Sequence, residues 1–175
     1  MKLAYDWLRS TSPKVHWSKL VWSSSSPPPK MSFILWLALN AKLPTKDRIL
    51  YMELDPKCEL CGADLESHWH LFFKCSFSSA VWNQIKAWLG LHCCMSSLAS
   101  AAKWLKKETK GTSWISKLKR LGFITCVYFI WKTRNSKIFE NIIPNVDHVV
   151  FWGKTYVYRV LLALYPSFLT HISNP

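Results

Sequence analysis

The run CELCGADLESHWHLFFKC, Cys58 to Cys75, decides how this chain is read. Cys58, Cys61, His70 and Cys75 follow the spacing C-x2-C-x8-H-x4-C. Three thiolates and one imidazole form a ligand set suited to a closed, four-coordinate structural zinc site. The two-residue gap lets Cys58 and Cys61 turn their sulfurs to one point. The x4 gap lets a short helical turn or loop present His70 and Cys75. Two plainer readings share these residues: thiols buried among Trp69, Leu71, Phe72 and Phe73, or a disulfide. The spacing of ligand types favours zinc. His68 competes with His70, because the two would share a face in an extended segment and diverge on a helix. His70 is preferred, since it leaves the x4 gap that zinc knuckles use.

Outward from this stretch, composition sets the class. Half of the 175 residues are hydrophobic and eleven are Trp, which is too apolar for a disordered chain. Five Gly argue against a turn-rich β-sandwich. The expectation is one mainly α domain, or one such domain with an appended helical extension, stapled by a metal because a core of this size is limited. The formal charge is +13; a bound Cys3His zinc brings it to about +12. Such a surface attracts polyanions. Residues 91–140 hold ten Lys or Arg against Glu108 and Glu140, so the basic surface lies mainly after the metal ligands. Cys93, Cys94 and Cys126 remain once three cysteines bind metal. That odd remainder is a poor disulfide framework and fits an intracellular, reducing compartment. Asp6 interrupts the N-terminal apolar run, against a signal peptide. The run 121–131 is too short to span a bilayer, so no membrane partner is expected.

Periodicity predicts helices over 2–9 and 15–22, then a Ser/Pro loop with a proline in the first turn of the next helix. Residues 30–42 are apolar nearly all round and read as the central buried helix. Thr45 reads as the N-cap of a helix over 46–52, with Asp47 in its first turn. Further helices are expected over 77–89, near 96–107, over 114–140 and over 146–164, the last capped by Asn145 and ended by Pro166. No alternation is long enough for a substantial sheet.

The flanks of the ligands carry a resemblance. PPPKMSFILWLALNAKLPTKDRI precedes the ligands and SFSSAVW follows them. This order resembles the zinc-binding domain that follows the reverse transcriptase in plant non-LTR (LINE-type) retrotransposon polyproteins. Its F-x-x-W helix, T-x-D-R-L-like turn, C-x-L-C, E-S, H-L-F-F-x-C and V-W elements fall at Phe33 and Trp36; at Thr45, Asp47, Arg48 and Ile49; at Cys58, Leu60 and Cys61; at Glu66 and Ser67; at His70 through Cys75; and at Val81 and Trp82. The resemblance covers roughly residues 3–90. IWKTRNSKIF, from Ile130 to Phe139, resembles the I-W-x-x-R-N-x-x-x-F tail found behind that domain, with Thr133 departing from it. The resemblance implies His70 rather than His68 as ligand, one structural zinc, and a nucleic-acid-associated role. Reverse-transcriptase parts of a parent element become possible partners, and a nuclear location follows by analogy. It divides the chain into a zinc-binding domain at 1–90, a basic linker at 91–113 and a helical C-terminal extension at 114–175.

Enzyme chemistry is not expected. Two-metal polymerases and nucleases need converging carboxylates, and the ten acids here are scattered. A zinc deaminase needs H-x-E before P-C-x-x-C, which is missing. Four protein ligands leave zinc no open position, and the adjacent His92, Cys93 and Cys94 are badly placed to act as a nucleophilic pair. The expected function is non-specific RNA or DNA binding through phosphates. The candidate contacts are Lys103, Lys106, Lys107, Lys117, Lys119, Arg120, Lys132, Arg134 and Lys137, with Trp69 as a stacking ring. The rival reading is a protein-interaction module or structural remnant.

Overall fold

A computed structural model describes residues 15–22, 28–52, 55–92, 95–111 and 113–165. The helix expected over 2–9, Pro166, Cys93 and Cys94 lie outside the described residues. The described chain is mainly helical, with α1 at Ser18–Val21, α2 at Pro29–Leu39, α3 at Ser76–Leu89, α4 at Leu98–Glu108, α5 at Trp114–Glu140 and α6 at Val146–Leu164. No strand occurs among the described residues; an isolated antiparallel bridge joins Lys57 and Leu65. None of the described helices is long and apolar enough to cross a membrane.

The helix boundaries follow from local chemistry. Pro29 opens α2, where its missing N–H costs nothing. Ser97 and Ser100 satisfy each other's backbone amides in a capping box at the start of α4. The Asn145 side chain accepts from His148 N at 2.8 Å and starts α6. Gly90, at φ +61°, ends α3. Leu91 N then reaches Lys86 O at 2.9 Å, a closure that needs the left-handed conformation glycine adopts freely.

Residues 46–52 form two 3₁₀ turns, Lys46–Arg48 and Leu50–Met52, instead of one helix. A stretch this short has little helical stability of its own. Here the amides of Lys46 and Asp47 bond outward to Glu66, through its carboxylate and its backbone carbonyl respectively. Thr45 does not cap a helix; its hydroxyl donates to the Asp47 carboxylate.

The central helix is α5, not α2. Residues 121–127 are all buried, and α5 packs against α2, α3, α4 and α6. At Gly122 a Cβ would stand 2.7 Å from the Leu89 side chain, so the glycine permits the close approach of α5 to α3. α2 buries Met31, Leu35 and Ala38 but leaves Phe33 exposed and Ile34 and Trp36 half-buried. Its outer flank lacks the cover that four neighbours give α5. One apolar core runs from Trp17 to Val150 and includes Cys58, Phe72, Leu105 and Phe123. The ligand stretch, the segment over 91–113 and the C-terminal helices therefore share a core. In that middle segment, α4 contributes buried Leu98, Ala101, Ala102 and Leu105.

Candidate metal centre

Residues 57–65 form a tight knuckle. Cys58 N bonds Asp64 O and Gly62 N bonds Cys58 O, each at 2.8 Å. Gly62 takes φ +68°, which this turn requires. The Lys57–Leu65 bridge and the bond from Glu66 N to Pro56 O, at 2.8 Å, close its base.

The second ligand pair sits on a π-helical turn, His70–Lys74. Five residues along an α-helix rotate about 500°, which would leave His70 and Cys75 about 140° apart. The wider turn instead brings Cys75 N onto His70 O at 2.8 Å. Ser67 Oγ accepts from His70 N at 3.1 Å and sets the start of the turn.

These two devices converge. One ligand atom from each of Cys58, Cys61, His70 and Cys75 lies within 4.8 Å of the others. Cys58 Sγ is 3.9 Å from Cys75 Sγ, and Cys61 Sγ is 3.3 Å from His70 Nε2. Tetrahedral bonds of about 2.3 Å to sulfur and about 2.0 Å to nitrogen separate two sulfurs by about 3.8 Å and a sulfur from a nitrogen by about 3.5 Å. The donor set and its spacing fit a metal ion. Nδ1 of His70, the nitrogen turned away from the sulfurs, lies 3.7 Å from the Asp64 carboxylate, which can orient the ring. The metal-free thiols are not equivalent. Cys58 is held above the ordinary thiol range because it donates its proton to Cys75, and burial adds to this. Accepting that bond holds Cys75 lower. Metal entry must displace this proton.

His68 takes no part. The chain is already helical at this point, so the two rings diverge. The His68 ring packs on Phe72, centroid to centroid 5.1 Å, and its Nε2 is buried without a partner. Desolvation lowers its pKa and keeps it neutral. Cys126 lies in the core of α5, where burial pushes its thiol well up.

Arg134 requires a correction as a phosphate contact. It is 3% exposed and faces Glu66, which is 1% exposed. Nη2 donates to Oε1 at 2.6 Å, and Nε reaches both carboxylate oxygens at 3.2 Å. Trp131 lies beneath the guanidinium at 5.0 Å. Glu66 also accepts from Lys46 N at 3.0 Å. This buried pair ties α5 to the segment between the two ligand pairs. Nearby, buried Lys46 donates to Lys57 O at 2.7 Å and pairs with Glu59 at 2.6 Å, holding the knuckle from its other side. Neither anchor is visible in a single sequence, because nothing local to Glu66 or Lys46 marks burial.

The other cations are dispersed. Lys103, Lys106, Lys107 and Lys132 are exposed. Lys119 pairs with Glu108 at 2.8 Å. Arg120 donates to Thr109 and to Gly111 O, holding the end of α4 against α5. Lys117 lies 3.4 Å from the Tyr165 ring, and Lys137 bonds Asn141 at 2.9 Å. Trp69 is 53% exposed, with Lys74 4.8 Å over its ring.

Residues 1–82 match the family model described as zinc-binding in reverse transcriptase. The matched stretch contains all four converging side chains and ends at Trp82, so a zinc-binding region of the reverse-transcriptase-associated kind is indicated. No curated protein and no solved structure matched the chain.

Proposed function

We propose that Cys58, Cys61, His70 and Cys75 hold one structural zinc ion that clasps a basic helical module, and that this module binds RNA or DNA through phosphates. The converging Cys3His cluster carries the zinc reading, supported by the match over residues 1–82. Four protein donors leave no site for a reacting water, which supports a structural rather than catalytic ion. The module has no polymerase chemistry of its own. It descends from the polyprotein of a plant LINE-type retrotransposon, and its setting is intracellular and reducing, the nucleus by analogy. A charge of +13 and the exposed Lys103, Lys106 and Lys107 on α4 support phosphate contact with little sequence choice.

A salt series tests the nucleic-acid reading. Affinity for a labelled RNA is expected to fall steeply with salt on a log–log plot. Replacing Lys103, Lys106 and Lys107 together by Gln is expected to flatten the slope by about two to three units. A slope near zero for the unsubstituted chain would sink this reading. One observation favours a second: Leu50, Tyr51, Met52 and Leu65 are 70%, 81%, 52% and 68% exposed. Apolar side chains so open on the knuckle and the turn before it suit a protein partner, such as the reverse-transcriptase parts of the parent element.

A further inference from the structure

Two clefts lie side by side along the outer flank of α5, and Lys132, Ser136 and Glu140 line both. Their aromatic walls are connected. Trp36 stacks on Phe33 with centroids 5.9 Å apart. Phe33 and Tyr128 line the first cleft. Tyr128 meets Phe129 edge-on at 5.5 Å. Phe129 and Trp152 line the second cleft.

Exposed lysines interleave with these rings. Lys42 stands 5.4 Å from the Trp36 ring, Lys30 5.8 Å from Tyr128 and Lys132 5.9 Å from Phe129. Glu140 is the carboxylate in the lining of the clefts. Phe33 is 51% exposed and Trp152 43%, so their rings are open to a ligand.

An apolar partner helix would leave these ammonium groups without counter-charge, and an acidic one would supply no flat rings at the spacing of its charges. A single-stranded nucleic acid matches both features, since each unit carries one flat base and one phosphate. A duplex does not, because its bases are stacked inside. We propose that this track on α2, α5 and α6 takes single-stranded nucleic acid, with bases on Phe33 and Trp152 and phosphates on Lys30, Lys42 and Lys132. The proposal rests on the nucleic-acid reading above and adds the form of the ligand and its place.

The test uses the metal-loaded full chain. Its probes are labelled oligoadenylate RNA and DNA of roughly sixteen nucleotides, an abasic strand of equal length, and a hairpin duplex. At least one base-bearing strand is expected to bind roughly fivefold or more tighter than the abasic strand. Phe33→Ala and Trp152→Ala remove that advantage and leave abasic and duplex affinity, metal content and melting temperature unchanged. Phe33→Trp retains it. The proposal is overturned if both alanine variants bind oligoadenylate as the parent does, or if they weaken abasic and base-bearing strands equally. It is also overturned if they abolish only self-association in light scattering, which would assign the track to a second copy of the chain. If the parent chain binds none of the probes, the nucleic-acid reading fails together with the track.

Discussion

Cys75→Ser protein, purified with zinc in the buffer, will hold well under one metal ion per chain, and its fold will loosen. Cys75 is fully buried at the start of α3, with its sulfur 3.9 Å from that of Cys58. A serine hydroxyl is harder, shorter and far less acidic than a thiol. Losing only a hydrogen-bonding partner behind a ligand costs roughly 10–100-fold in metal affinity, and losing the ligand itself costs more. Binding energy at a structural zinc site is also folding energy. Lys46 and the Glu66–Arg134 pair still hold this segment when the metal is lost, but Leu71, Phe72 and Cys75 belong to the common core, so the disturbance reaches it. Loss of metal therefore lowers the melting temperature and exposes Trp82, which donates to Phe72 O at 2.9 Å. Cys58→Ser will behave alike. His70→Ala lowers metal content, whereas His68→Ala leaves it at one and costs the packing of its ring on Phe72 and its hydrogen bond to the Ala38 backbone. The reverse order for the two histidines, by metal analysis and thermal melting, would overturn the ligand assignment.

Arg134→Met will destabilise the metal-loaded protein by about 3–5 kcal/mol, since it leaves the Glu66 carboxylate buried without its cation. For a chain of this size the melting temperature falls by roughly 10 °C. Arg134→Lys will not restore the loss, because one ammonium cannot reproduce three guanidinium bonds to two oxygens. The double variant Glu66→Met, Arg134→Met recovers part of the stability but not all. Lys46 N then lacks its acceptor, at a cost of about 1–3 kcal/mol. Urea titration of the three variants beside the parent chain checks this. If Arg134→Met unfolds like the parent chain, the pair is not the anchor between α5 and the ligand segment. A loss of nucleic-acid affinity without loss of stability would return Arg134 to the phosphate contacts.

The two long C-terminal helices were legible in the sequence to the residue, because sustained apolar periodicity and an Asn cap are local signals. The converging Cys and His cluster was legible for a similar reason: the spacing of Cys58, Cys61, His70 and Cys75 is written within one short stretch. What was not legible depends on distant partners. Apolar content alone made 30–42 look like the central helix, but centrality is a matter of how many neighbours pack around an element, and α5 has more. Residues 46–52 carried a helix-start pattern, yet Glu66 claims their amides from twenty residues away. Arg134 looked like one more cation on a basic helix, and only the fold shows Glu66 beneath it. The resemblance had contained both ends of that pair, as its E-S and R-N elements, without saying that they meet.

The most direct test of the zinc clasp is X-ray absorption at the zinc edge on stoichiometrically loaded protein. The account predicts one zinc per chain, with three sulfurs at about 2.3 Å, one imidazole nitrogen at about 2.0 Å and no bound water. A chain that takes up no zinc and melts identically with and without chelator would contradict it, as would a coordination shell with fewer than three sulfurs or an open, water-filled position.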